Sequence, residues 1–154
     1  MSRNTRMKKY RQNVAAIIIN AERKIWIGER IDKLAWGFAQ GGIDEGETDE
    51  MALRREMLEE LATNDFDIIA KYPGTLKYDF PAGMEFPTWT YAGQEQQYFL
   101  LRLHENAQID IEKNDHEFAQ YKFLQFDELV KLDFGFKNEV YRKALEYFKP
   151  IILG

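Results

Sequence analysis

Glu56, Glu59 and Glu60 crowd together in the segment TDEMALRREMLEELATN, directly behind the stretch Gly41-Gly42-Ile43-Asp44-Glu45-Gly46-Glu47. On a helix turning about 100° per residue, Glu59 lies about 60° to one side of Glu56 and Glu60 about 40° to the other. The three carboxylates therefore share one face, and Leu53, Met57 and Leu61 are expected roughly opposite. Like charges at helical spacing repel, so either water solvates this face or a cation sits on it. Carboxylate oxygens are natural ligands of magnesium and manganese, and magnesium keeps several waters that substrate phosphates can replace. A loop carrying Gly41, Gly42 and Gly46 lets the backbone come close to a ligand. Arg55 is placed to pair with Glu47 and hold that loop against the helix. The combination suits metal-assisted attack of water on a phosphate anhydride.

Such a constellation needs a scaffold. The helix is expected from about Thr48 to Leu61. Thr48 is a good N-cap, and Asp49 and Glu50 favour the positive helix start. Leu53, Met57 and Leu61 recur every four residues, marking a buried stripe. Val14 to Ile19 reads as a buried strand, and Lys24 to Gly28 as a second, joined by the turn NAER. DFDIIAKY, GTLKYDF, QQYFLLRL and YKFLQF read as further strands. FDELVKL reads as a short helix and KNEVYRKALEYF as a longer terminal one. Runs of strands with helices between and after them predict an α+β fold, a mixed β-sheet sandwiched between α-helices. With no repeat, linker or low-complexity tract, residues 1–154 read as one domain.

Composition narrows the classes. A chain of 154 residues can bury a proper core. It has no cysteine, which excludes disulfides and thiolate zinc sites. No apolar run approaches the roughly 20 residues that span a bilayer, and VAAIII is strand-sized. The basic start MSRNTRMKKYR has no apolar segment of signal-peptide character behind it, so the cytoplasm is the expected compartment. The net charge of -5 and pI of about 5.2 argue against nonspecific nucleic-acid binding. An anionic substrate remains compatible if divalent metal reverses the local field.

The acidic segment resembles the signature of the Nudix hydrolases: Gly, any five, Glu, any seven, Arg-Glu, apolar, any, Glu-Glu, any, Gly, apolar. Gly41, Glu47, Arg55, Glu56, Met57, Glu59 and Glu60 fall on its positions. Ala62 and Thr63 depart from the final Gly and apolar residue. An alanine forced into a left-handed backbone there would cost about 1 kcal/mol, and Asn64, which tolerates that conformation better, is expected to end the helix slightly later. Over nearly the whole chain the sequence is most similar to the bacterial RNA pyrophosphohydrolases, which in turn resemble diadenosine polyphosphate hydrolases. YRQNVAAIII, AWGFAQGGIDEGE, YDFP, GQEQQYFLLRL, HEFAQYKFL and FKNEVYRKALEYF carry the likeness.

The resemblance implies a magnesium-dependent enzyme, with manganese as a substitute, that converts the 5′ triphosphate or diphosphate end of RNA to a monophosphate and so initiates mRNA decay. It implies Glu56, Glu59, Glu60 and Glu117 as catalytic metal ligands. It places Arg11 near the phosphates and Arg30 with Phe136 around a base, where stacking is worth about 1–3 kcal/mol. Lys137 would meet phosphate or base edge, Tyr78 would lie near the phosphates, and Gln40 and Gly41 would line the metal loop. Trp36-Gly37-Phe38-Ala39-Gln40-Gly41-Gly42 departs from the group's Trp-Gln-Phe-Pro-Gln-Gly-Gly, and Gln12 replaces a usual proline. Gaining a glycine and losing a proline is expected to loosen the approach to the metal loop. Ala35 stands where some relatives carry a hydroxyl. The alternative substrate is a dinucleoside polyphosphate, and a non-catalytic nucleotide sensor is the alternative from another class. Retention of all three helix glutamates argues against the sensor. No membrane partner is expected, and a protein activator is left open.

Overall fold

The computed structural model describes residues 9–31, 35–82 and 91–154. Of the basic N-terminal stretch singled out above, residues 1–8 lie outside this set. In chain order the elements are β1 (Tyr10–Ile19), β2 (Ile25–Arg30), β3 (Trp36–Gly37), β4 (Ala39–Gly42), α1 (Asp49–Leu61), β5 (Phe66–Lys71), β6 (Leu76–Asp79), β7 (Gly93–Leu103), β8 (Phe118–Leu124), α2 (Phe126–Leu129) and α3 (Asn138–Leu153). A 3-10 turn, Gly135–Lys137, leads into α3.

VAAIII is apolar at successive positions because β1 is buried on both faces. Ala15, Ile17 and Ile19 join a core with Val140, Ala144, Leu145, Phe148 and Ile152 of α3. Val14, Ala16 and Ile18 join a second core with Ala52, Leu53, Met57 and Leu61 of α1. A continuous apolar run suits a strand covered by helices on both sides. β1 pairs in parallel with β7 along its whole length, from Tyr10↔Gly93 to Ile19↔Arg102. Its other edge pairs antiparallel with β4, from Asn13↔Gly42 to Ala16↔Ala39, and with β2 at Ile19↔Ile25. β5 and β6 pair antiparallel with β7, and β8 with β2. The mixed, helix-covered α+β sheet expected from the sequence is the sheet observed.

Several local expectations need correction. Gln40, Gly41 and Gly42 are not loop residues: they form the strand β4 against β1. Their glycines hid the strand because they contribute no side-chain pattern. Glu60 does not lie opposite the apolar stripe. It is 1% exposed, beside the buried Leu53, Met57 and Leu61. β8 starts at Phe118 and stops at Leu124, because Gln125 caps α2, its N–H donating to Glu128 at 3.0 Å. α3 continues past Phe148 through Pro150 to Leu153. Burial of Ile152 holds the last turn despite the missing proline N–H. Among the described residues, no helix is long and apolar enough to cross a membrane.

α1 begins as the sequence predicts, with Thr48 Oγ1 accepting from Met51 N at 3.1 Å. Its end differs. Ala62 itself takes the left-handed conformation, φ 59° and ψ 31°, and its N–H donates to the Leu58 carbonyl; Asn64 does not substitute for it. An alanine there carries a steric penalty that glycine lacks. Ala62→Gly is therefore expected to stabilise the protein by about 1 kcal/mol, raising the melting temperature by roughly 2–4 °C for a chain of this size. Thermal unfolding followed by circular dichroism measures this, and an unchanged or lower melting temperature would mean that the strain is relieved elsewhere.

Candidate active site

Arg55 organises the acidic end of the site. Its Nε and Nη2 grip Glu47 in a two-pronged contact at 2.7 and 2.8 Å. Nη2 also donates to the Gly42 carbonyl at 2.8 Å. Nη1 reaches Glu56 at 2.7 Å and Glu59 at 3.2 Å. One guanidinium thus ties the 43–48 loop, the end of β4 and two turns of α1 together. A planar fork matches carboxylate geometry in a way that an ammonium cannot. Glu47 closes the loop on itself by accepting from Asp44 N at 2.8 Å. The Arg55 bonds hold its carboxyl down at about 2, from an ordinary 4.5.

The other carboxylates are held at a cost. Burial pushes Glu56 up to about 7, with Arg55 pulling it back and the charges of Glu59 and Glu117 adding to the rise. Burial also raises Glu60 well above the ordinary range, reinforced by the neighbouring carboxylates of Glu117 and Glu56. Glu60 Oε1 accepts from Gln40 N at 3.1 Å, whereas Oε2 is buried with no hydrogen-bond partner. Glu117 stands 3.6 Å from Arg30. Gly41 is required by proximity, because a Cβ there would lie 1.9 Å from Glu56 Cδ.

These groups open onto a cleft of about 520 Å³. Arg11, Arg30, Gln40, Gly41, Glu56, Glu59, Tyr78, Glu117, Phe136 and Lys137 all line it. Glu60 lies behind them, under Gln40. Every candidate from the sequence is thus gathered at one place. Carboxylates occupy one end; Arg11, Arg30 and Lys137 bring positive charge. Phe136 is 41% exposed and packs against Tyr78, ring centroids 5.5 Å apart. Lys137 Nζ lies 5.8 Å from the Tyr78 ring centre. Arg30 lies 5.7 Å over Phe118. His104 meets Asp67 at 3.1 Å on β5, and His116 is exposed; neither lines the cleft.

Sequence reading missed the polar side chains that back the cleft. Asn13, Gln94 and Gln96 are buried and bonded to one another across β1 and β7. Their only sequence signal is polar residues within strands that otherwise read as core. Missed too were Trp36, Phe80, Phe134 and Asp115 on the cleft wall.

Metal binding can be tested against this arrangement. Among the described residues, no three carboxylates or histidines stand close enough together to form a ready metal cage. Part of the reason is visible: Arg55 Nη1 bridges Glu56 and Glu59. The donor chemistry nevertheless fits a hard divalent cation. Glu60 carries an orphaned buried oxygen, and burial, with neighbouring carboxylates adding to it, raises the pKa of both Glu56 and Glu60.

Known proteins resemble this chain over most of its length. The model of the family described as NUDIX domain matches residues 9–147. An RNA pyrophosphohydrolase of Helicobacter pylori (strain ATCC 700392 / 26695) is 48% identical over 147 residues, covering 92% of this chain and 95% of that one. An RNA pyrophosphohydrolase of Sulfurovum sp. (strain NBC37-1) is 42% identical, covering 92% and 94%. Among solved structures, the Escherichia coli dihydroneopterin triphosphate pyrophosphohydrolase superposes with a TM-score of 0.71 at 22% identity, covering 92% and 97%. A Caenorhabditis elegans Ap4A hydrolase complex superposes with 0.68 at 17% identity, covering 91% and 98%. At those identities the superpositions establish the fold alone.

The Glu47–Arg55 clamp has a pH signature. Glu47 titrates lower in the folded protein than its ordinary 4.5. Its extra stabilisation is therefore complete above about pH 4.5 and lost as pH falls towards about 2. Glu47→Gln is expected to be less stable than the parent in urea at pH 6, with the gap closing at pH 3. A gap that does not change with pH would mean that the clamp contributes shape and no charge.

Proposed function

The chain belongs to the NUDIX family, and from that premise we propose that it is an RNA 5′ pyrophosphohydrolase. Water adds to a phosphorus of the 5′ triphosphate, an anhydride P–O bond breaks, and RNA with a 5′ monophosphate leaves with pyrophosphate. From a diphosphate end the other product is phosphate. The observation that carries the reading is one cleft joining a carboxylate cluster to basic and aromatic walls, in a chain 48% identical to an RNA pyrophosphohydrolase.

Members of this family generally use divalent metal ions, and magnesium is the proposed ion here, with manganese as a substitute. Glu56, Glu59, Glu60 and Glu117 would hold it. When bound, it supplies positive charge that offsets the charge gathering on the phosphate oxygens in the transition state. The chain's own side chains do the rest. Arg11 and Lys137 draw the triphosphate into the cleft, with Tyr78 beside them. Arg30 and Phe136 hold a base, for which the exposed Phe136 ring offers a stacking face. Gln40 N fixes the buried Glu60 carboxylate through Oε1 and leaves Oε2 as a donor for the cation. Gly41 keeps the cleft floor clear for Glu56.

Purified protein with magnesium and short γ-labelled triphosphorylated RNAs tests the reaction directly. Release of labelled pyrophosphate with monophosphorylated RNA supports it. Faster cleavage of diadenosine tetraphosphate would make a dinucleoside polyphosphate the principal substrate. Glu59→Gln is expected to lower turnover by about 100-fold or more while the fold survives, since the amide keeps the shape and loses the charge. Near-parental turnover at limiting magnesium would remove Glu59 from the metal site.

Phe136→Ala is expected to impair RNA cleavage more than hydrolysis of a simple nucleoside triphosphate, because only RNA presents a second base. Equal losses would make the ring structural. Magnesium or manganese is also expected to raise the melting temperature of chelator-treated protein. A ligand bound only by the native state stabilises it by about 2.7 kcal/mol at 100 times its dissociation constant. A melting temperature indifferent to both ions would leave the acidic cluster without a metal role.

A further inference from the structure

Behind the basic part of the cleft runs a chain of buried hydrogen bonds whose direction is fixed. Arg11 can only donate, and its Nη1 lies 3.3 Å from Gln94 Oε1. The same oxygen accepts from Asn13 Nδ2 at 2.9 Å. The Gln94 amide nitrogen must then point the other way, and it donates to the Tyr78 hydroxyl at 2.9 Å. The far end of the chain agrees. The Tyr98 hydroxyl donates to Gln96 Oε1 at 2.7 Å, so Gln96 Nε2 donates to Asn13 Oδ1 at 2.9 Å and to Gln40 Oε1 at 2.7 Å.

The consequence falls on one proton. The Tyr78 oxygen accepts from Gln94 Nε2, and among the described residues no hydrogen bond donated by its own O–H is seen. Tyr78 lines the cleft with Arg11. A hydroxyl proton turned outwards beside a guanidinium is matched to an anionic oxygen.

We propose that Gln94 is a positioning residue of the phosphate subsite: it holds Arg11 and Tyr78 on opposite ends of one amide and, by accepting from the first and donating to the second, turns the Tyr78 O–H outwards as a donor to a substrate phosphate oxygen. The inference rests on the proposed reaction but adds to it a residue that does not touch substrate and a direction for the tyrosine proton. Because every substrate in the class carries the phosphates, this device serves a nucleoside triphosphate and RNA alike, unlike Phe136.

The test is a double-mutant cycle of Tyr78→Phe and Gln94→Met, read as kcat/KM on triphosphorylated RNA and on a nucleoside triphosphate. Parental activity on RNA is established first, so that failure of the reaction assignment is seen separately. A hydrogen bond to a charged oxygen supports an expected loss of about 10-fold or more for Tyr78→Phe, equal on both substrates. Gln94→Met is expected to lose at least as much, since it releases Arg11 as well, and the double variant to be no more than about 2-fold worse than Gln94→Met alone. Losses that multiply would show that Gln94 acts independently of Tyr78 and would overturn the inference. So would full activity of Tyr78→Phe in an active parent, which decides the matter even if Gln94→Met fails to fold.

Discussion

A single guanidinium holds together parts of this protein that would otherwise repel. The side chains of Glu47, Glu56 and Glu59 and the carbonyl of Gly42 all converge on Arg55. Without it, α1 would carry uncompensated carboxylates beside a sheet edge, and the loop between β4 and α1 would lose its tie to both. The clamp satisfies donors and charge in one fixed plane. It also divides labour among the acids. Glu47 is fully engaged and strongly acidic, which suits a structural strut. Glu56 and Glu60 are pushed towards the neutral form by burial and by their neighbours, as expected of groups kept for a ligand that brings charge of its own.

The sheet explains how the clamp and the cleft come to share a place. β1 is central: its apolar residues bind both cores, and its first residues, Arg11 and Asn13, reach the cleft. Pairing with β4 brings Gly41 and Gly42 alongside Val14 and Asn13. Pairing with β7 brings Gln94 and Gln96 alongside Arg11 and Asn13. The same strands are thus dry where the helices cover them and polar where they open onto the cleft. Buried polar groups in such a position are costly unless each is satisfied. Asn13, Gln94 and Gln96 satisfy one another, with Tyr98 and Arg11 fixing the ends.

Much of this was legible in the sequence where a periodic pattern existed. The β-branched run of β1, the four-residue stripe of α1 and the acidic helix start all became elements, although β1 begins at Tyr10, ahead of the expected Val14. The candidate acids of α1 stood out because their spacing matches a known signature; Glu117 and the basic and aromatic candidates came from the wider resemblance, and all but Glu60 line one cleft. What stayed hidden lacked a pattern. β4 is Ala39-Gln40-Gly41-Gly42, and its strand character comes from pairing with β1 rather than from propensity. Glu60 looked like a surface acid because its burial depends on the sheet beneath it. The amide network looked like an irregular core strand, because nothing local says which side of β7 faces the cleft. Ala62 looked like an alanine that would pass its conformation on to Asn64, yet the chain turns where the helix hydrogen bonds run out.

The departures at Gly37 and Ala39 can now be weighed physically. Gly37 is paired with Gly28 in β3, and a Cβ there would come within 2.9 Å of the Tyr141 hydroxyl. That hydroxyl accepts from Phe38 N at 3.2 Å, so the small residue at 37 lets α3 hold the β3–β4 junction by a backbone bond. Ala39 is buried against the α1 core and pairs with Ala16. The junction that a proline-poor, glycine-containing segment was expected to loosen makes contacts on both sides of the sheet. Packing and one tyrosine hydroxyl meet the backbone that leads to Gln40 and Gly41, where Gln40 N bonds Glu60 and the missing Cβ at Gly41 clears space for Glu56 without a proline in the segment.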